Sequence, residues 1–153
     1  MTRLALHPRH PELVGLAQGA KNSARQAAIF AARRALAGTP VSQSPVMEVL
    51  RALDASDIRS AVRRRSDLEA LVTVLDKEYW DLSDSSGSSD GADARTAFAR
   101  ARAVSALACA LALNPVEAAL DAIYEAQASL PESEVDGFLD AVKELFRTLQ
   151  AQR

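Results

Sequence analysis

Hydrophobic side chains recur every three or four residues along most of the chain, which is the spacing of an amphipathic α-helix. The clearest apolar stripe follows Pro131 and predicts a long final helix. A second stripe follows Ser66, which with Glu69 matches a capping box at the start of a helix. Both stripes are expected to be buried against neighbouring helices. The final stripe consists of Val135, Phe138, Leu139, Val142, Leu145, Phe146 and Leu149, and the second of Leu68, Leu71, Val72, Leu75, Tyr79 and Leu82.

Two alanine-rich segments between Asp93 and Leu130 predict a pair of helices with a sharp hinge. Pro115 lacks a backbone N–H, which suits the first turn of a helix but not its interior. Asn114 precedes it as an N-cap, and Glu117 follows as the second half of a capping box. Because the connection is so short, the two helices are expected to be antiparallel neighbours.

Further helical patterns cover residues 12–37, residues 44–54 and a segment from Ile58 onward. In the first of these, Phe30 and the alanines around it are predicted to face the core. Runs of β-branched or aromatic residues, which are typical of strands, are few. At 153 residues the chain fits one domain. The prediction is therefore an all-α domain over residues 1–153, a single bundle of six to seven mostly antiparallel helices.

Two segments lack a helical pattern. Residues 1–11 include HPRHP, whose prolines disfavour a preceding helix, and are predicted to be a flexible arm. The spacing of His7 and His10 does not place both rings on one side of such an arm, so no metal site is expected there. Residues 83–92, SDSSGSSDGA, are predicted to be a disordered linker, because Ser, Asp and Gly bury too little apolar surface to order it.

Charge is distributed unevenly between the two halves of the chain. Residues 1–80 contain 12 Lys and Arg and 8 Asp and Glu, whereas residues 81–153 contain 6 and 12. Such asymmetry either marks a surface for a charged partner or helps the two halves attract each other.

The acidic excess includes two sets of acids that recur every fourth residue on the last two predicted helices. One set is Glu117, Asp121 and Glu125, and the other is Asp136, Asp140 and Glu144. Like charges at this spacing cost a helix roughly 0.2–0.5 kcal/mol per pair. We expect the two sets either to form one anionic surface that binds a cationic protein, or to be the solvated faces of two amphipathic helices.

Two further features suggest binding. Arg63, Arg64 and Arg65 suit contact with phosphate, or they form a solvated helix junction, since no aromatic or further basic cluster accompanies them. Trp80 falls outside the apolar stripe of its helix. It is predicted either to cover a second edge of the core or to belong to a partner-binding surface, where tryptophan is enriched.

The sequence contains no recognisable catalytic set: no nucleophile–base–acid combination, no Gly-rich phosphate loop and no Cys/His pair at metal spacing. Cys109, the single cysteine, lies among alanines and leucines and is predicted to be a small buried hydrophobe. We therefore expect neither an enzyme nor a bound cofactor or metal. One cysteine forms no internal disulfide and the N-terminus lacks a signal-peptide pattern, so a cytoplasmic location is expected.

Three segments resemble known proteins: RQAAIFAARRAL, LDKEYWDL and RARAVSALACALALNPVEAALDAIYEA. They are similar to the YjaG-type family of small helical bacterial proteins and, more distantly, to helical immunity proteins of bacterial toxin systems. The resemblance implies a cytoplasmic helical protein with toxin neutralisation as its role, and it supplies no catalytic motif.

The expected function is thus non-catalytic protein binding, with the two acidic sets and Trp80 as partner-binding residues and a cationic toxin domain as the partner. The first alternative is a nucleic-acid-binding or regulatory protein that uses Arg63, Arg64 and Arg65. A protein is nevertheless the expected partner in preference to a nucleic acid, and no membrane partner is expected. The second alternative is a structural module in which the apolar stripe of the final helix pairs in a homodimer.

Overall fold

A computed structural model describes residues 10–86 and 91–152 of the chain. The described residues form α-helices with short connections and include no strand. The all-α bundle predicted from the sequence is confirmed, with seven helical segments when α4 and α5, separated only by Arg64, are counted together. The elements are α1 (Leu13–Ala20), a 3₁₀ turn (Lys21–Ser23), α2 (Ala24–Gly38), α3 (Ser44–Asp54), α4 (Ile58–Arg63), α5 (Arg65–Ser86), α6 (Ala92–Ala110), α7 (Pro115–Ser129) and α8 (Glu132–Ala151).

The centre of the bundle is formed by α2, α6 and α7, each of which packs against the other two. On the periphery, α5 packs along α6 and contacts α3 and α4, whereas α8 packs against α1, α2 and α7. Among the described residues, no helix combines the length and the hydrophobicity required to cross a bilayer.

Small side chains fill the central interfaces, as expected for a chain in which only 5% of residues are aromatic. A methyl side chain lets two helix backbones approach closely. Phe30 was predicted to join this core, and that prediction is wrong. The alanine face of α2 is occupied by α6 and α7, so Phe30 lies at its edge beside Phe138 and Ala141 of α8. The fully buried alanines of these three helices are Ala24, Ala27, Ala28, Ala31, Ala32 and Ala35 on α2, Ala101, Ala103, Ala106 and Ala110 on α6, and Ala118, Ala119, Ala122 and Ala126 on α7.

The hinge between α6 and α7 is confirmed. The side chain of Asn114 accepts hydrogen bonds from the backbone N–H groups of Val116 at 2.9 Å and Glu117 at 3.1 Å, while Pro115 opens the helix. On the other side of the hinge, the guanidinium of Arg25 donates to the carbonyl oxygens of Ala110 at 2.8 Å and Leu113 at 3.1 Å. A cation at a helix C-terminus satisfies carbonyls that the helix itself leaves unpaired. Side-chain hydrogen bonds therefore stabilise both the end of α6 and the start of α7 at the hinge.

Parts of both segments predicted to be flexible are ordered in the residues that the structure describes. His10 is buried, with its Nε2 atom 3.1 Å from Oδ1 of Asp136 on α8, so the end of the predicted arm packs on the bundle. α5 continues to Ser86, because Leu82 and Ser83 are still partly buried, and α6 begins at Ala92. The remainder of the predicted arm, residues 1–9, and of the predicted linker, residues 87–90, lies outside the described residues.

Candidate functional site

The three acids predicted to form a stripe on α7 have very different surroundings. Glu117 is exposed at the start of the helix and Asp121 is half-buried. Glu125 is only 3% exposed, so its assignment to a partner-binding surface is wrong. Two side chains four residues apart on a helix differ in direction by about 40° around the helix axis. Glu125, two such steps after Glu117, therefore faces the helix interface, whereas Glu117 faces solvent.

The Glu125 carboxylate forms part of a buried charge cluster. Arg102 of α6 donates to it at 2.9 Å and, through its other terminal nitrogen, to Asp76 of α5 at 2.8 Å. The guanidinium carbon also lies 5.8 Å from the centre of the Phe98 ring. Burial alone would lower the pKa of Arg102, but the two carboxylates hold it above its ordinary value. Arg102 therefore stays charged, and its contacts with Glu125 and Asp76 tie α5, α6 and α7 together.

The three acids on α8 remain at the surface. The side chains of Asp136, Asp140 and Glu144 are 56%, 67% and 74% exposed. Each has a basic neighbour among the described residues, at N–O distances of 3.1, 3.1 and 3.6 Å, and these neighbours are His10, Lys143 and Arg147, respectively. Because Glu125 is buried against α5 and α6, the structure does not combine both predicted acidic sets into one exposed surface.

The apolar stripe of α8 lies against its own chain. Its buried members pack in the same core as α1, α2 and α7. This stripe is therefore not an exposed surface on which a second copy of the chain could pair. The buried members are Val135, Phe138, Leu139, Val142, Phe146 and Leu149.

The arginine run lies at the junction of α4 and α5, where two of its three members have acidic neighbours. Arg64 lies 3.0 Å from Glu48 of α3, and Arg65 lies 3.1 Å from Glu69 one turn later. Arg63 is exposed and has no carboxylate within 4 Å among the described residues. The local pairs reduce the positive potential that a phosphate would meet, so the geometry favours the solvated junction over a nucleic-acid contact.

Trp80 lies on the surface of α5 and is 60% exposed. Its ring meets Tyr79 edge to face at a centroid distance of 5.0 Å, and Tyr79 in turn lies 5.3 Å from Phe98 of α6. Of the two predicted placements for Trp80, the surface position is the one observed. Whether it contacts a partner stays a prediction.

An open groove that was not predicted from the sequence lies beside these rings. It has a volume of about 920 Å³ and lies between the ends of α2 and α7, the middle of α5 and the first half of α6. Tyr79, Phe98 and Leu130 contribute apolar surface, and Arg95 and Arg100 contribute charge. These residues come from distant parts of the chain, and no local motif connects them.

Cys109 lies on α6 and is largely buried. Burial, followed by the negative charges of Glu125 and Asp121, raises the pKa of its thiol to about 11. A thiol of this kind is almost wholly protonated at neutral pH and is a poor nucleophile. Elsewhere in the described part of the chain, no three His, Cys, Asp or Glu side chains come together as a potential metal site.

Alkylation of Cys109 is expected to be slow in the folded protein. The pKa of about 11, compared with 9.0 for an unperturbed thiol, lowers the thiolate fraction at pH 8 about 100-fold. A more basic thiolate is also more nucleophilic, which offsets part of this factor. The iodoacetamide reaction rate should therefore be at least about 10-fold lower than in the urea-unfolded chain and should rise with pH until about 11. Equal rates in the folded and unfolded chains would contradict this description of the thiol.

Comparison of the chain with protein-family models, with curated proteins and with solved structures found no match. The similarity to YjaG-type and immunity proteins therefore stays a prediction.

Proposed function

We propose that this chain is a non-catalytic protein-binding protein of the cytoplasm, and that its docking surface is the acidic face of α8, defined by Asp136, Asp140 and Glu144. The observation that supports it most is the division of α8 into two faces. One face is anchored in the core by buried apolar side chains, and the other presents three carboxylates that are each more than half exposed.

This arrangement suits recognition because the carboxylates are presented on a fixed helix. A rigid surface loses little conformational freedom when a partner binds. The basic neighbours of the three acids do not abolish the negative charge, since α8 contains five acids and only Lys143 and Arg147 as bases. The pair of Glu144 and Arg147 is exposed on both sides, and such pairs contribute about 0–1 kcal/mol, so a basic partner can replace it at low cost. His10 and Lys143 are more buried than the carboxylates they contact, which leaves Asp136 and Asp140 accessible from solvent. Charge complementarity then accelerates association and selects a cationic partner.

The specific role that we propose is neutralisation of a cationic toxin. A basic toxin domain uses its positive surface to reach an anionic substrate, and an acidic helix seated on that surface would occlude it. The burial of Glu125 restricts this surface to α8 and leaves Glu117 as a separate exposed charge at the start of α7.

Affinity capture and a survival assay test the proposal together. The tagged full chain is incubated with the purified product of each neighbouring gene, and the same genes are co-expressed with and without the chain. We expect one of these products to bind the chain directly and to be toxic only when the chain is absent. If none of the products binds and none is neutralised, the proposed function is wrong.

A variant with Asp136→Asn, Asp140→Asn and Glu144→Gln, here called the α8 variant, identifies the surface. Its matched control, called the α5 variant, replaces Asp67, Glu69 and Asp81 by the corresponding amides. These three residues are 54%, 57% and 65% exposed and also have basic neighbours within four residues along the chain. Each variant replaces three acids by amides, so both change net charge equally. We expect capture to be lost in the α8 variant and kept in the α5 variant.

A further inference from the structure

The groove beside Tyr79 and Phe98 is separate from the acids of α8 and has no role in the proposed function. Its volume of about 920 Å³ lies within the range of roughly 300–1,000 Å³ that cavities for small ligands occupy. The groove is bordered by α5 and α6 on one side and, on the other, by the ends of α2 and α7 with the two residues that follow each of them. Ligand sites are usually largely preformed, and most of this lining belongs to helices.

The apolar part of the groove consists of aromatic and aliphatic side chains that remain partly exposed. The rings of Tyr79 and Phe98 lie 5.3 Å apart at an angle of 58°, and Leu130 lines the same groove. Because Phe98 is 37% exposed, a ligand lying on its ring would remove apolar surface from water. Each Å² removed contributes roughly 25 cal/mol. This surface favours a ligand with an aromatic or aliphatic body.

The charged part of the groove is positive. Arg95 is exposed and has no carboxylate within 4 Å among the described residues, whereas Arg100 has one distant neighbour, Glu78, at 3.7 Å. Both arginines lie on α6 and both line the groove. A guanidinium binds a carboxylate through two parallel hydrogen bonds, which is stronger than its interaction with a neutral group.

The helix ends that border the groove determine which way a polar ligand would lie. α2 ends at Gly38 and α7 ends at Ser129, and both residues line the groove. Helix C-termini carry partial negative charge on their carbonyl oxygens. An anionic group is therefore repelled from these ends and attracted to the arginines of α6.

We propose that this groove is a binding site for a small amphiphilic carboxylate, whose apolar body lies on Tyr79, Phe98 and Leu130 and whose carboxylate is bound by Arg95 and Arg100. The ligand is a free small molecule of the aryl or medium-chain alkyl carboxylate class.

Isothermal titration of the full chain with naphthoate and with decanoate tests this site. We expect saturable binding of at least one of them with a Kd below about 1 mM. The uncharged analogue naphthol and the cationic analogue decyltrimethylammonium carry the same apolar bodies without the anion. Each is expected to bind at least about tenfold more weakly than its carboxylate counterpart, because it forms no charged pair with the arginines.

Two variants locate the binding. The double substitution Arg95→Gln and Arg100→Gln should weaken carboxylate binding at least about tenfold. Thr96→Trp, which places a large ring in the groove from an exposed position on α6, should abolish it. The matched control is Arg59→Gln with Arg64→Gln. Among the described residues, Arg59 has no carboxylate within 4 Å and Arg64 has one at 3.0 Å, and this variant should bind as the natural chain does.

The absence of saturable binding by either carboxylate below about 1 mM would overturn the proposal. Equal binding of a carboxylate and its analogue would also overturn it. The same holds if binding is unchanged after the Arg95 and Arg100 substitutions or after Thr96→Trp, or if the Arg59 and Arg64 control loses as much binding as the Arg95 and Arg100 variant. No side chain of α8 lines the groove, so the outcome of this experiment is independent of the proposed toxin-binding surface.

Discussion

Replacement of Arg102 by methionine is expected to lower the free energy of unfolding by about 3 kcal/mol. Methionine keeps much of the apolar stem but removes the cation that contacts Glu125 at 2.9 Å and Asp76 at 2.8 Å. The Glu125 carboxylate is 3% exposed and would keep its burial without this charge partner. In a domain of this size the midpoint of thermal unfolding should fall by roughly 6–12 °C. Calorimetry and urea titration measure both quantities.

Two further variants distinguish a loss of charge pairing from a loss of packing. Adding Glu125→Gln to the Arg102 variant should restore part of the lost stability, because the buried side chain that lost its arginine is then neutral. Arg100→Met on the same helix is the matched control. Its arginine is more exposed and its carboxylate neighbour lies at 3.7 Å, so the effect should stay below about 1 kcal/mol. An Arg102 effect as small as this would mean that the cluster does not hold α5, α6 and α7 together.

The second large effect is expected from enlarging an alanine in the central interfaces. Ala31 on α2 and Ala122 on α7 are fully buried, and these two helices pack directly on each other. A leucine at either position has no space without moving a backbone, which costs typically 1–3 kcal/mol and sometimes more. We expect each substitution to lower the free energy of unfolding by about 2–3 kcal/mol in a urea titration.

Ala70→Leu is the control for this prediction, because Ala70 is an exposed alanine on α5. Leucine and alanine have similar helix propensities, so this change should stay within about 0.5 kcal/mol. If Ala31→Leu and Ala122→Leu are as mild as the control, the helices of the centre are not as closely packed as described.

Features determined by local chemistry were predictable from the sequence. Asn114 and Pro115 specify the hinge because a side-chain cap and a missing N–H act within one turn of the backbone. The stripe of α8 was predictable for the same reason, since burial of one helix face leaves a spacing that is visible in the sequence. The all-α class follows from these local patterns.

Features that depend on distant residues were not predictable. The four-residue spacing of Glu117, Asp121 and Glu125 suggests one face, but the burial of Glu125 depends on Arg102, a residue on another helix. Arg25 caps the end of α6 across a sequence separation of 85 residues, with no local signal for the contact.

The groove was not predictable for the same reason. Its residues come from four helices, the loop after α2 and the turn before α8, and nothing in their local sequence shows that they meet. Phe30 shows the opposite error, in which a residue with the right helical spacing for the core lies at its edge. The alanine face of α2 leaves no space there for a large ring.

The Kd of the complex between this chain and a neighbouring gene product, measured over a series of NaCl concentrations, tests the central claim most directly. At low salt the α8 variant should bind roughly 10- to 100-fold more weakly than the natural chain, as expected for the loss of three charge contacts of about 0.5–1 kcal/mol each. The α5 variant should match the natural chain, and the difference should shrink as salt screens the charges. Equal Kd values for the α8 variant and the natural chain at low salt would contradict the assignment of α8 as the docking surface.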